Sequence, residues 1–155
     1  MPESSTIIIA DTSCLIILTK IGELDLLEHL FQKVAITPTI AQEYQEELPE
    51  WITIQSSNEK SYRAIAEIID EGEASAIALA LEIGDCRLIL DDIRARKYAK
   101  QLDLSVTGTL GIIAQAQKAG IIPSALTVID KIQATNFRLS ARVVEQVKQA
   151  LDEKS

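Results

Sequence analysis

The sequence is poor in the residues on which several classes of catalytic and binding site depend. Its 155 residues include two cysteines, one histidine and one tryptophan. The only histidine, His29, lies in a helical pattern typical of a surface or core-edge residue, which argues against Ser-His-Asp and Cys-His catalysis. Cys14 and Cys86 lie in apolar runs without metal-ligand spacing, as expected for core residues of a reduced, intracellular protein. Trp51 and the three tyrosines form no pattern suited to stacking on bases.

Long apolar segments and an excess of basic residues are also missing. No run approaches a membrane span, and the N-terminus has neither the basic region nor the apolar length of a signal peptide. We therefore expect a cytoplasmic protein without a membrane segment. There are 15 Lys and Arg against 23 Asp and Glu, and the formal net charge is −8. This charge argues against a broad basic surface for nucleic acid, so a protein acting on nucleic acid would need something else to offset the repulsion.

The residues that are present predict one domain with alternating strands and helices. With 155 residues, of which 47% are hydrophobic, we expect a single domain over 1–155 with a substantial core. Short apolar runs predict strands at 6–10, 33–37, 87–90, 105–107 and, near an edge, 51–55. Helical patterns cover 13–22, 23–31, 38–48, 58–70, 72–84, 92–102, 108–120, 123–133 and 139–155, the last with Ser140 as N-cap. This alternation predicts a three-layer α/β/α sandwich with a mainly parallel central sheet of four to five short strands.

Aspartates follow two of the predicted strands at the point where each strand ends. Asp11 follows the run TIIIA, and Asp91 and Asp92 follow the run RLIL. Open parallel sheets bind ligands outside the carboxyl ends of their strands, so these side chains and Thr107 lie on the predicted functional edge. Helix capping alone explains a single strand-end aspartate, because Asp is a favoured N-cap. It explains two adjacent aspartates less well, since one cap is enough.

Two glutamates in helical patterns are further candidates. Glu43 lies within PTIAQEY, where a solvated helix position explains it, and Glu73 lies in the first turn of an almost wholly apolar helix, where a carboxylate complements the helix dipole. Neither residue needs a functional explanation by itself. Only convergence with Asp11 and Asp92 would make them part of a site.

Five segments in order resemble a known family: ADTS, PTIAQEY, GEASAIALA, LILDDIRARKYA and VTGTLG. They resemble the PIN-domain nucleases, most closely a PIN-like subgroup with GExxAIxLA and LDDxxAR segments, over residues 6–120. The family is similar to the toxins of VapC-type toxin-antitoxin pairs, which are metal-dependent ribonucleases on a compact α/β/α fold. The resemblance implies a Mg²⁺- or Mn²⁺-dependent endoribonuclease that acts on RNA. It also implies a homodimer and an antitoxin that covers the acidic pocket.

The resemblance also implies roles for individual residues. The catalytic and metal-binding acids fall on Asp11, Glu43, Glu73, and Asp92 or Asp91. The family's hydroxyl position after the first aspartate falls on Ser13, and its polar position after the last strand on Thr107 or Thr109. Apart from the resemblance, Arg94 belongs to a basic cluster on the helix after Asp92 that could guide RNA, although a solvated helix face explains such a cluster more often. Many family members have aspartate where this chain has Glu73, so the metal geometry there is open. Consecutive residues leaving a strand point to opposite sides, so we do not expect both aspartates to reach one metal directly. The resemblance favours Asp92 as the direct ligand, because the last acid after this strand is usually the one nearest the metal in the family; Asp91 would then hold an amide of the following helix or a metal-bound water.

The chemistry of phosphodiester hydrolysis gives a reason for several acids in one place. Divalent cations activate a water molecule and offset developing negative charge, and carboxylates are suitable ligands for them. Without a cation the acids would repel one another and some would take up protons. Two alternatives remain open. A haloacid-dehalogenase-like phosphohydrolase expects an aspartate where Ser13 stands, and a PIN-like fold with little catalysis would act as a protein-interaction module.

Overall fold

The computed structural model describes residues 6–135, 145, 147–149 and 151. Within residues 6–135 the chain forms five strands: β1 Ile7–Ala10, β2 Val34–Ile36, β3 Ile52–Ile54, β4 Cys86–Ile89 and β5 Ser105–Thr107. The same residues form eight helices: α1 Thr12–Lys20, α2 Asp25–Phe31, α3 Pro38–Tyr44, α4 Glu59–Ala66, α5 Glu71–Ile83, α6 Ile93–Gln101, α7 Thr109–Lys118 and α8 Ala125–Gln133.

The strands form one fully parallel sheet in the order β3-β2-β1-β4-β5, with helices on both faces. The predicted three-layer α/β/α sandwich is therefore confirmed. The predicted edge strand at 51–55 is β3, which lies at one end of the sheet. The sheet is parallel because each crossover contains at least one helix, as parallel neighbours require.

Successive strands are added to the sheet on one side of β1 and later on its other side. From β1 the chain proceeds to β2 and β3 on one side, and later returns to place β4 and β5 on the other side. The strands β1 and β4 are therefore neighbours although β2 and β3 lie between them in the sequence. At such a reversal the loops leaving the two strands diverge and leave a crevice at their carboxyl ends, where ligands bind in open α/β sheets.

Burial of β-branched and small side chains holds the central strands against α5. Every residue of β2 is buried, as are the last three of β1. Helix α5 is buried continuously over 74–80, and four of these seven residues are alanine. Alanine has the highest helix propensity and little bulk, which suits a helix enclosed on most sides. This enclosed helix carries Glu73 in its first turn and so places it rigidly.

A second apolar cluster attaches α8 to the rest of the fold. Ile17 of α1 and Ile113 of α7 pack with residues of α8, including Ile129 and Ile132. Val147 and Leu151, which are helical, pack partly against the same cluster. Helix α8 thus contributes to the core. The rest of the helix predicted over 139–155, with Ser140 as its N-cap, lies outside the described residues.

Several predicted helix boundaries were wrong, among them boundaries of α3, α4 and α5. Helix α3 ends at Tyr44 and not at residue 48, because Gln45 has a left-handed φ of 59° and the acidic residues that follow oppose the negative end of the helix dipole. Helix α4 ends at Ala66 and not at residue 70, because the chain must turn before α5 begins. Gly72, predicted as a boundary of α5, is its second residue and is buried.

Both cysteines are buried and free, as predicted for core residues. His29 is exposed on α2. Of the helices in the described part of the chain, none combines the length and the apolar character that crossing a membrane requires.

Candidate functional site

Asp11 begins helix α1 directly after β1 and is almost fully buried. Its Oδ1 accepts a hydrogen bond of 2.8 Å from the amide of Cys14, which makes it the N-cap of α1. Its Oδ2 accepts one of 3.2 Å from the amide of Asp91, so the carboxylate also ties the end of β1 to the end of β4. Burial and the nearby Asp91 carboxylate raise the pKa of Asp11 to about 8, although the two amides act in the opposite direction.

Asp91 binds a helix that is distant in sequence. Its two oxygens accept hydrogen bonds from the amide of Thr109 at 2.7 Å and from the Thr109 hydroxyl at 2.5 Å. Asp91 was expected to hold an amide of the following helix, α6, or a metal-bound water. The first expectation was wrong: the amides at the start of α6 bind Asp92, and Asp91 binds the start of α7.

Asp92 is exposed and is the N-cap of α6. Its Oδ1 accepts hydrogen bonds from the amide of Arg94 at 2.7 Å and from that of Ala95 at 3.4 Å. One ligand atom of Asp92 also lies within 4.8 Å of ligand atoms of Asp70 and Glu73. Asp92 therefore belongs both to a helix cap and to a group of three acids with the spacing of a cation site.

Glu73 is half-buried in the first turn of α5, and its Oε1 has no hydrogen-bond partner in the described part of the chain. A buried carboxylate oxygen without a donor is costly unless a cation or proton compensates it. Burial raises the pKa of Glu73 to about 7, and the acids Asp92, Asp70 and Glu43 add to the effect. The oxygen ligands of this group suit a hard divalent cation such as Mg²⁺ or Mn²⁺, so the residues fit one.

Glu43 lies on the exposed side of α3 and faces the same crevice. The Thr12 hydroxyl donates a hydrogen bond of 2.5 Å to its Oε1. A cleft of about 120 Å³ connects these residues, and it is lined by Asp11, Thr12, Ser13, Glu43, Asp70, Gly72 and Glu73. The structure thus brings together Asp11, Glu43 and Glu73 along one cleft, and Glu73 joins this cleft to Asp92.

Arg94 borders a second cleft, of about 200 Å³, that also contains Asp70 and Asp92. Its Nη2 donates a hydrogen bond of 3.0 Å to the carbonyl of Ile68. Of the two threonines considered from the sequence, Thr109 binds Asp91. Thr107 ends β5 with a buried side chain whose hydroxyl lies beneath Gly111 of α7.

Two residues of the site were not expected from the sequence. Asp70 stands at the N-cap position of α5 but makes no capping hydrogen bond, and it borders both clefts. The sequence shows only an Asp before a helix, which capping explains. Thr12 was missed because its hydroxyl bond spans 31 residues and leaves no local pattern.

Comparison with protein families agrees with the fold and with the acidic edge. A family model described as a PIN domain matches residues 7–153. The chain belongs to the PIN-domain family. PIN domains are generally metal-dependent nucleases that bind nucleic acid, and the group formed by Asp70, Glu73 and Asp92 is a candidate for the divalent cation that such nucleases use. A search of curated proteins found no match.

Proposed function

We propose that this PIN domain, comprising residues 1–155, is a cytoplasmic metal-dependent endoribonuclease and the toxin of a toxin-antitoxin pair. One observation supports the cation most: Glu73 Oε1 is buried and has no donor among the residues that the structure describes, and it lies beside Asp70 and Asp92. The acidic net charge adds a second reason, because a bound cation attracts the phosphate that the rest of the surface repels. The choice of RNA, the antitoxin and a homodimer rests on the family resemblance.

We assign cation binding to Asp11, Glu43, Glu73 and Asp92. Both amide bonds to Asp92 use Oδ1, whereas both oxygens of Asp91 are bound to Thr109 and Asp91, unlike Asp11, lines neither cleft. This difference supports Asp92 as the direct ligand and Asp91 as a residue that orients the site through Thr109 and the Asp11 carboxylate. When bound, Mg²⁺ or Mn²⁺ would activate a water molecule and offset charge on the phosphate.

Three further residues have proposed roles in positioning the substrate. Ser13 lines the acidic cleft, where its hydroxyl can donate to a phosphate oxygen. Arg94 has five N–H donors, and its bond to Ile68 leaves others for a phosphate beside Asp92. The Thr107 hydroxyl lies against Gly111 of α7, so Thr107 would affect the site only through the position of Thr109.

The test is cleavage of single-stranded RNA by purified protein that has been unfolded and refolded to remove any antitoxin. We expect cleavage with Mn²⁺ or Mg²⁺ and none with EDTA, and little cleavage of the same sequence as DNA. Glu73→Gln removes one carboxylate charge and should lower the rate about a hundredfold or more. The matched control is Glu46→Gln, an exposed acid that lines neither cleft.

The result separates the proposal from its alternative. A folded wild-type protein that binds Mn²⁺ but cleaves no RNA would contradict the ribonuclease and support a protein-interaction module. A protein that binds no divalent cation would contradict both the assigned ligands and the metal-dependent mechanism. Co-purification with a small partner that suppresses cleavage would support the antitoxin.

A further inference from the structure

Gly72 lies where α5 passes closest to the Glu43 side chain. It is buried in the first turn of α5, where its backbone is helical and any residue could adopt the conformation. The position has no room for a side chain: a Cβ here would overlap Glu43 Oε1 and lie 3.1 Å from Glu43 Cδ and 3.2 Å from Glu43 Oε2. The Glu43 carboxylate therefore occupies the space that a side chain at position 72 would fill.

The backbones on either side cannot easily separate to make room. The hydroxyl of Thr37, the N-cap of α3, lies 2.6 Å from the Ser75 hydroxyl, and Ser75 donates a hydrogen bond of 2.7 Å to the carbonyl of Gly72. Both hydroxyl groups are buried. A residue larger than glycine would therefore displace the flexible end of Glu43 before it moved α3 away from α5.

Thr12 also holds the Glu43 carboxylate in place. The hydroxyl of Thr12 donates to Oε1, the same oxygen that lies against Gly72. The carboxylate thus accepts a hydrogen bond from α1 and occupies the space beside Gly72 of α5. This position directs it into the cleft with Asp11 and Glu73.

We propose that Gly72 is a positioning residue for the cation site: its missing side chain lets the Glu43 carboxylate reach the cleft that it shares with Asp11 and Glu73. The inference rests on the proposed metal-dependent function, because it assigns Gly72 a role through one of the proposed ligands. Gly72→Ala should push the Glu43 carboxylate out of the cleft. It should not weaken the fold, since alanine favours a helix more than glycine does.

A double-mutant cycle tests the inference with Mn²⁺ affinity measured by calorimetry on the full chain. The four proteins are the wild type, Gly72→Ala, Glu43→Ala and the double variant. We expect Gly72→Ala to weaken Mn²⁺ binding about tenfold in the wild type, as is usual for residues that support a ligand. In the Glu43→Ala background it should change the affinity less than about twofold, because no carboxylate remains to be displaced. An equal loss in both backgrounds would overturn the inference.

A crystal structure of Gly72→Ala provides a measurement that does not depend on metal. The Glu43 carboxylate should leave its place beside α5 while α3 and α5 keep theirs; a carboxylate that stays in place would overturn the inference. Leu81→Ala, at an exposed position near the other end of α5, is the control for substitution in this helix and should leave Mn²⁺ affinity unchanged. If the wild type binds no Mn²⁺, the proposed function fails, and a role for Gly72 at a cation site fails with it even if the Glu43 carboxylate moves.

Discussion

The acids at the carboxyl edge of the sheet fall into two regions that use their oxygens differently. We call Asp11 and Asp91 the inner carboxylates: all four of their oxygens accept a hydrogen bond from the protein. We call Asp70, Glu73 and Asp92 the outer carboxylates. Here Glu73 Oε1 accepts no hydrogen bond from the described part of the chain, Asp92 uses one oxygen for its two amides, and Asp70 does not cap the helix it precedes.

This difference separates structural from cation-binding chemistry within one small region. The inner carboxylates join β1, β4 and the start of α7, and so would be needed even if no cation bound. The outer carboxylates have ligand atoms within 4.8 Å of one another and few hydrogen-bond donors. A cation stabilises this arrangement; without a cation, water or bound protons must do so. Asp11 belongs partly to both regions, because it is fully hydrogen-bonded and yet lines the cleft with Glu73.

The largest expected effect is the pH dependence of stability without metal. The folded pKa of Asp11 is raised to about 8 from an ordinary value of 3.8, so the folded state holds an extra proton between these values. The free energy of unfolding should therefore be highest near the lower pKa and fall as pH rises, by up to about 4 kcal/mol between pH 5 and 8. Glu73, with its pKa raised to about 7, acts in the same direction.

Urea unfolding in EDTA at pH 5, 6.5 and 8 measures this loss. Mn²⁺ should restore stability at pH 8 far more than at pH 5, because it binds the ionised acids. If the free energy of unfolding in EDTA is the same across this pH range, water or a rearrangement relieves the repulsion between Asp11 and Asp91. The inner carboxylates would then not differ from the outer ones in this respect.

The next largest effect is on the rate of RNA cleavage, which should fall by different factors when neighbouring residues of the two regions are substituted. Asp92→Asn keeps an oxygen acceptor for the amides of Arg94 and Ala95 but removes a charge beside Glu73, so the rate should fall about a hundredfold or more. Asp91→Asn keeps its link to Thr109 and should reduce the rate about tenfold. Both variants should retain the wild-type circular dichroism. If Asp91→Asn is inactive and Asp92→Asn is active, Asp91 is the direct ligand.

A smaller effect concerns stability, for which the substitution of Asp91 should cost more than that of Asp92. At pH 5, where Asp11 holds a proton and repels Asp91 less, Asp91→Ala should destabilise the fold by about 2 kcal/mol, since it leaves two donors of Thr109 unpaired. Asp92→Ala removes an exposed N-cap and should cost about 1 kcal/mol. Urea midpoints with equal slopes measure both. Equal costs would remove the distinction between inner and outer carboxylates.

Much of the fold was predictable because its strands are short runs of mostly β-branched residues. The run SVT was predicted with its observed ends, and the helix between each pair of strands required them to be parallel. The end of α3 was not predictable, because it depends on the left-handed conformation of Gln45. Periodicity describes one segment at a time and contains no information on how two helices meet.

The acidic edge was predictable for a similar reason, and its internal organisation was not. Carboxyl ends of parallel strands meet at one edge, so Asp11 and Asp92 were expected near each other. The bond from Thr109 to Asp91 crosses 18 residues, and that from Thr12 to Glu43 crosses 31, so no local pattern indicates either. Asp70 was predicted as the last residue of the helix over 58–70, and only the structure places it at the N-cap position of α5 without a capping bond.

The smallest expected effect is that of Asp11→Asn on stability at pH 5. At this pH the folded protein holds a protonated Asp11, and asparagine imitates only its lack of charge: its oxygen can still accept from the amide of Cys14, but its amide nitrogen cannot accept from the amide of Asp91. Asparagine is also a good N-cap. The free energy of unfolding should therefore fall by about 1 kcal/mol or less at pH 5, the net contribution of one hydrogen bond, and should exceed that of the wild type at pH 8 in EDTA, where the substitution removes the repulsion from Asp91. Mn²⁺ binding should weaken at both values. A stability below that of the wild type at pH 8 in EDTA would instead show that the ionised carboxylate of Asp11 is needed to join β1 to β4, and would remove Asp11 from the group of acids that only a cation relieves.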